Sequence, residues 1–304
     1  MSLSLLPPTL PSTDAEARAL IAAIDAQLEQ HRIVVDGHEV VFRRIGNGPP
    51  LVLVHGGHGS WLHWVRNLDA LSRQHTLWLP DMPSYGDSAA LEGAPSLERL
   101  AQALAMALDG LLGAGTPLDL AGFSFGGLTV AHAAARRLEQ GGAVRRVALL
   151  GTSGHGMMRR DRMKMLDWKG LDDAAERDRC LRHNLGALML HDVTRIDALA
   201  LALHRQACLQ TRFRSKGYAG RAVLAPALDA LDAHGVPLLL AWGAHDVTAT
   251  PQETGPALVA GRASRRWQLL PDAGHWLQYE QPAQTEALLE AWFAGAAEEM
   301  NAIE

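Results

Sequence analysis

The chain has 304 residues, 48% hydrophobic and 20% charged, with a formal net charge of −5. This supplies a large core and excludes a disordered chain, and the acidic balance excludes a protein built to neutralise a nucleic-acid backbone. Of the 14 histidines, no two stand at the H-E-x-x-H spacing of a helical zinc site, so no metal or cofactor is expected.

At the N-terminus no Lys or Arg precedes Arg18, and Pro7 and Pro8 break the apolar run, so the stretch does not read as a secretory signal. No segment approaches the ~18 apolar residues of a membrane span. The two cysteines, Cys180 and Cys208, are too few for a disulfide framework and point to a reducing compartment. A soluble cytoplasmic protein with a small-molecule partner, and neither a nucleic-acid nor a membrane partner, is expected.

Thr13 and Glu16 have capping-box spacing, and Leu20, Ile21, Ile24 and Leu28 follow at the helical period, so a helix is expected from Thr13 to His31. Strands 32–35 and 39–44 flank the turn Asp36-Gly37, a hairpin signal. The run L-V-L-V at 51–54 is apolar on both faces, as a central strand between helix layers must be. A helix around Trp61–Leu71, a strand at 76–79, a turn-rich loop at 80–93 and a helix capped by Ser96 come next. Strand 117–123, helix 124–140 and strand 144–150 continue the alternation, which predicts a mostly parallel sheet with helices on both faces.

The alternation stops at 152–234, where helical patterns such as Val193–Arg214 appear without a convincing strand. It resumes with strand 237–242, a helix near 252–259, strand 266–270 and a final helix over 282–298. The expected organisation is an N-terminal helical extension (1–32), a core in two parts (33–151 and 235–304) and a helical cap insertion (152–234).

Gly122-Phe123-Ser124-Phe125-Gly126 matches G-x-S-x-G between a strand and a helix. This turn is too sharp for side chains at its flanks and puts a serine at its apex. Ser124 is the candidate nucleophile. It needs a base, and the base needs an orienting acid. Strand 237–242 ends in Gly243-Ala244-His245-Asp246, and strand 266–270 ends in Pro271-Asp272-Ala273-Gly274-His275-Trp276. Parallel strands bring such ends to one edge, which makes Asp246 the candidate acid and His275 the candidate base. Asp272, on the same loop as His275, competes with Asp246. His132, inside a helix, and His55, before two glycines, read as structural. The candidate oxyanion donors are the backbone N–H groups of Phe125 and of Gly57, with His58 as the alternative register.

These motifs, with His55-Gly56-Gly57, Asp81-Met82-Pro83-Ser84-Tyr85-Gly86-Asp87-Ser88 and Glu280-Gln281-Pro282, resemble an α/β-hydrolase-fold serine hydrolase over about residues 33–295. The resemblance implies an eight-stranded, mostly parallel sheet with a helical cap and a Ser124-Asp246-His275 triad acting without cofactor. Within the family, the cap is similar to that of esterases, epoxide hydrolases and meta-cleavage-product C–C hydrolases. Epoxide hydrolases carry Asp where this chain has Ser124. C–C hydrolases commonly carry Asn where it has Phe123, and the family usually has Gly at Ser84. The implied activity is hydrolysis of a carboxylic ester of a small to medium apolar or aromatic substrate. The alternatives are C–C bond hydrolysis and a non-catalytic ligand-binding scaffold.

His58, Phe123 and Trp276 are expected substrate contacts. Trp61, Trp64, Met157, Met158, Met163, Met165 and Trp168 either line an apolar pocket or fill the cap's own core. The basic run Arg159, Arg160, Arg162 and Lys164 is either a solvated face or an attractor for a carboxylate. Monomer and homodimer both fit, the dimer through the N-terminal helix.

Overall fold

A computed structural model of the chain describes residues 4–157, 160 and 163–295. The chain begins with helix α1 (Asp14–Asp25) and the hairpin β1 (Glu29–Val35) and β2 (His38–Ile45), followed by β3 (Pro50–Val54). A 3₁₀ stretch (Trp61–Asn67) runs into the short helix α2 (Leu68–Leu71), then β4 (Thr76–Pro80), α3 (Leu97–Leu112), β5 (Leu118–Phe123), α4 (Phe125–Glu139) and β6 (Val144–Leu150). Between β6 and the next strand lie α5 (Ala174–Asn184), α6 (Ala198–Gln210) and α7 (Ala225–Ala233). The chain closes with β7 (Leu238–Gly243), α8 (Pro251–Val259), β8 (Arg265–Leu270), the one-turn helix α9 (Leu277–Glu280) and α10 (Pro282–Ala294).

The strands form one eight-stranded sheet in the order β1-β2-β4-β3-β5-β6-β7-β8. β2 pairs antiparallel with β1 and β4, and the remaining pairs are parallel. Leu51 and Leu53 of β3 join one apolar layer, together with α1, the Trp61–Leu71 segment, α6 and α10. Val52 and Val54 join the opposite layer, with α3, α4 and α7. This is why L-V-L-V is apolar throughout: each face of the strand is covered. The helix α7 packs on α4 and joins the layer that covers one face of the sheet.

Three local expectations are corrected. The first helix ends at Asp25, not His31. Leu28 is buried in helical phase with Ile24, but Glu29, Gln30 and His31 pair with Arg44, Arg43 and Phe42, and the ladder overrides the local period. The expected helix at 61–71 is mostly a 3₁₀ stretch. The pattern over Val193–Arg214 splits into a 3₁₀ turn at Val193–Arg195 and α6, which Asp197 caps through its side chain on the Ala200 N–H. The last helix is seen to Ala294, and the rest of its expected length lies outside the described residues.

Candidate functional site

β5 and α4 meet at Ser124, whose backbone lies at φ 54°, ψ −119°, a conformation side chains other than glycine's rarely adopt. Its amide donates to Leu150 O at the end of β6, which pins the turn to the neighbouring strand. A Cβ at Gly126 would lie 2.1 Å from His55 O, and one at Gly122 would lie 2.6 Å from Gly126 O. Both flanks face backbone, so neither position can yield to a side chain.

The register Phe123↔Leu150, Leu150↔Ala241 and Gly243↔Leu270 aligns the ends of β5, β6, β7 and β8. Ser124 Oγ lies 2.9 Å from His275 Nε2, and His275 Nδ1 lies 2.8 Å from Asp246 Oδ2. Asp246 is fully buried. Burial pushes its carboxyl pKa up, but the facing His275 and the hydrogen bonds from His275 and Thr248 outweigh that and hold it below the ordinary carboxylate value. The Thr248 N–H donates to Asp246 Oδ1 at 2.7 Å, and its hydroxyl stands 3.2 Å from His275 Nδ1. Thr248 is thus a site residue that sequence reasoning missed; its only signal was its place two residues after the acid. Asp272 is exposed, away from the histidine.

The loop after β3 is organised by two buried histidines. His55 donates from Nδ1 to Gly56 O at 2.8 Å and accepts at Nε2 from the Met82 N–H at 3.0 Å. Burial holds it neutral, with a pKa of about 4. The Gly56 N–H donates to His63 Nδ1 at 3.1 Å and is therefore engaged. Among the described residues, the Gly57 and Phe125 N–H groups have no protein acceptor. Both residues line the same cavity as Ser124 and His275. His58 lines it too, from a left-handed backbone at φ 51°.

The cavity has a volume of about 290 Å³. Its apolar lining includes Phe125, Met165, Trp168, Leu188 and Met189; its polar lining includes His58, His204, Ser215, Lys216 and Thr248. Phe123 and Trp276, two expected substrate contacts, do not line it. Strand alternation turns the Phe123 ring away from the cavity, and it packs 5.3 Å from His63 and 4.9 Å from His275. Trp276 stacks on Tyr279 and donates to His63 O at 3.0 Å. Trp61, Trp64, Met157 and Met163 are also absent from the lining, whereas Met165 and Trp168 belong to it. Arg160 donates to Ala244 O and Gln252 and does not face the cavity. Met158, Arg159 and Arg162 lie outside the described residues.

The segment between β6 and β7 is fastened to the loop that carries His275. The buried Glu280 carboxylate accepts from the N–H groups of Gly274 at 2.6 Å, His191 at 3.1 Å and Asp192 at 2.6 Å. The Trp276 N–H donates to Met189 O at 2.7 Å, and the Tyr279 hydroxyl to Asp197 at 2.8 Å. His191 stacks flat on His245, with ring centroids 3.6 Å apart. Among the described residues no cluster of three or more metal-ligating side chains occurs, and no helix is long and apolar enough to cross a membrane.

Comparison with known proteins places this geometry in a family. An esterase from Rhodococcus sp. ECU1013, RhEst1, superposes with a TM-score of 0.71 at 22% identity, over 88% of this chain and 98% of that one. The meta-cleavage product hydrolase CumD from Pseudomonas fluorescens IP01 superposes with a TM-score of 0.67 at 19% identity, over 89% and 99%. These likenesses are of fold. In sequence, a pimeloyl-[acyl-carrier protein] methyl ester esterase from Vibrio atlanticus is 38% identical over 89 residues, 29% of this chain and 32% of that protein. The chain matches about a quarter to two fifths of the length of such curated relatives. A model of the alpha/beta hydrolase fold matches residues 49–282, more than half of the chain, so the protein belongs to the alpha/beta hydrolase fold family.

Proposed function

We propose that the protein is a serine hydrolase that cleaves a carboxylic ester through an acyl-enzyme. The observation that carries the reading is the continuous hydrogen-bond path Ser124 Oγ–His275 Nε2–Asp246 at 2.9 and 2.8 Å, opening into a cavity flanked by two unpartnered backbone N–H groups. In this reading Ser124 Oγ attacks the acyl carbon as His275 Nε2 takes its proton. The carbonyl electrons move to oxygen, where the Gly57 and Phe125 N–H groups and the N-terminus of α4 meet the charge. Collapse expels the alcohol, which leaves with the proton from His275. Water, deprotonated by the same histidine, then attacks the acyl-enzyme, and the acid departs as Ser124 Oγ takes that proton back from His275. Asp246 holds the imidazole and balances its transient positive charge.

Ester cleavage is favoured over C–C cleavage by Phe123, which sets an apolar ring against the imidazole where C–C hydrolases commonly present a polar side chain. Two free cysteines, Cys180 and Cys208, fit the cytoplasmic placement inferred from cysteine usage.

The test is labelling with a fluorophosphonate probe, paired with turnover of p-nitrophenyl esters and of ring-fission dienoates. Labelling is expected to vanish in Ser124→Ala, and kcat to fall by ~10⁴-fold or more in Ser124→Ala or His275→Ala. Labelling indifferent to Ser124 overturns the nucleophile. A kcat/KM higher for dienoates by orders of magnitude overturns the ester.

A further inference from the structure

The cavity beside Ser124 has an uneven charge. Among its described lining residues Lys216 carries the one formal positive charge, and no Asp or Glu joins it. Two of its histidines, His58 and His204, add no charge of their own. His204 is held neutral with a pKa of about 4 by burial and then by His58; His58 likewise, by burial and then by the charges of Lys216 and Lys169. Among the described residues the same two lysines act on the buried Cys208 thiol, which also lines the cavity and which burial pushes up to about 12.

The turn that carries Lys216 is held at this place, while the Lys216 side chain itself is exposed to solvent where it lines the cavity. Lys216 belongs to the 3₁₀ turn Ser215–Tyr218, and the Tyr218 hydroxyl accepts from the Leu97 N–H at 3.0 Å, at the start of α3. Its neighbour Ser215 is buried against Gly57, with Oγ 2.3 Å from where a Gly57 Cβ would be. No ion pair to Lys216 is formed among the described residues, unlike Arg205 and Arg43, which each hold carboxylates. Lys169 lies over the Trp168 ring at 5.7 Å, on a residue that lines the same cavity.

We propose that Lys216, assisted by Lys169, selects esters whose non-reacting end bears a carboxylate. The inference rests on the ester-hydrolase reading and names the substrate class of that site. The scissile carbonyl lies at Ser124 and the apolar middle of the substrate against Met165, Trp168, Leu188 and Met189. The anion lies at the Lys216 turn, whose exposed ammonium attracts it through a field that dissolved salt screens. Neutral esters of the same shape fit the apolar part and forgo that contact.

The experiment compares isosteric pairs. Monomethyl adipate against methyl adipamate places the carboxylate on the acyl side; 4-carboxyphenyl butyrate against 4-carbamoylphenyl butyrate places it on the alcohol side. In at least one pair kcat/KM should favour the anion by about ten-fold at low salt, with the preference shrinking as salt rises. The preference should disappear in Lys216→Gln, persist in Lys216→Arg and invert in Lys216→Glu. Equal rates within both pairs overturn the proposal, as does a preference indifferent to residue 216. If no member is hydrolysed, the ester reading itself fails. The anion site is then judged by calorimetric binding of the same four compounds to Ser124→Ala, with and without Lys216→Gln. Tighter binding of the carboxylates that depends on Lys216 supports it, and its absence overturns it.

Discussion

Gly57 has no space for a side chain on the cavity side, but what stands there is a hydroxyl rather than backbone: Ser215 Oγ, 2.3 Å from a Cβ at that position. Gly126 differs, since its Cβ would meet the His55 carbonyl at 2.1 Å. The two substitutions therefore separate. Gly57→Ala should fold and keep its thermal midpoint within a few degrees, yet lose about a hundred-fold in kcat for esters, as expected when one oxyanion donor is displaced. Ser215→Gly in the same chain should restore most of it. Gly126→Ala should lower the midpoint sharply or prevent folding, because neither backbone can move aside. Steady-state kinetics and thermal unfolding on the three variants decide this; a Gly57→Ala enzyme with full activity would remove Gly57 from the proposed hole. Ser124, Asp246 and His275 were legible because each follows a strand of the same parallel sheet, where spacing alone fixes the edge. Phe123 and Trp276, expected as substrate contacts, lie outside the cavity lining. At the end of β5 strand alternation sets the Phe123 ring against the imidazole rather than toward the cavity, and the Trp276 indole donates to His63 O. Ser84 was flagged in the sequence as a replacement for glycine, and it adopts φ 71°, the left-handed conformation that glycine would adopt freely.

α1 joins parts of the molecule that the sequence left unconnected. Ala17, Ile21 and Ile24 pack in the layer that holds Leu199, Ala202 and Leu203 of α6, and Asp14 pairs with Arg205 of α6. At its other end Asp25 accepts from the buried Arg43 of β2 at 3.0 Å, and Arg43 also holds Asp81 at 2.8 Å. α1 thereby braces the helix that carries His204 and Cys208, both cavity residues. Ile24→Ala should cost about 2–5 kcal/mol. Hydrogen exchange should rise in α6 more than in β5, because α6 loses its backing while the sheet keeps its own. Equal exchange changes in both elements would show that α1 supports only the core. The capping box at Thr13 made the start of this helix legible, but its packing partner was not. Helical periodicity identifies an apolar face and says nothing about which distant helix covers it. The cavity-lining residues of α6 were missed for the same reason: His204 and Cys208 form no motif, and only the fold turns them toward Ser124.

At the scale of the whole molecule, the buried titratable groups set a direction for the response to acid. His55 and His204 are held at about 4 against an ordinary 6.5, chiefly by burial, and burial lowers His63 further. A lowered folded pKa means that the unfolded chain binds more protons. The contribution to stability is therefore complete above pH 6.5 and is lost as pH falls towards about 4. Asp81 and Asp119 act in the opposite sense. Burial raises both to about 6 from 3.8, against the charges of Arg43 and Arg145, so the folded state binds the extra protons, and these two groups return stability as pH falls from 6 to 4. The histidine loss grows as pH falls from 7 through 6, and the two carboxylates, half protonated near 6, offset part of it. The urea midpoint should therefore fall from pH 7 to 6 and go on falling to 4.5, by less than the histidines alone would give. Each proton taken up only by the unfolded chain is worth on the order of 1.4 kcal/mol per pH unit. In His204→Leu, which removes one such imidazole and leaves an apolar side chain beside Cys208, the slope between pH 7 and 6 should be visibly shallower than in the parent. A midpoint that rises from pH 7 to 6, or a His204→Leu slope equal to the parent's, would mean that these histidines are solvated or paired when the protein is folded. None of this was legible in the count of histidines: 14 along a chain have no common pKa. Only their burial in the folded chain makes His55, His63 and His204 a single acid-sensitive set.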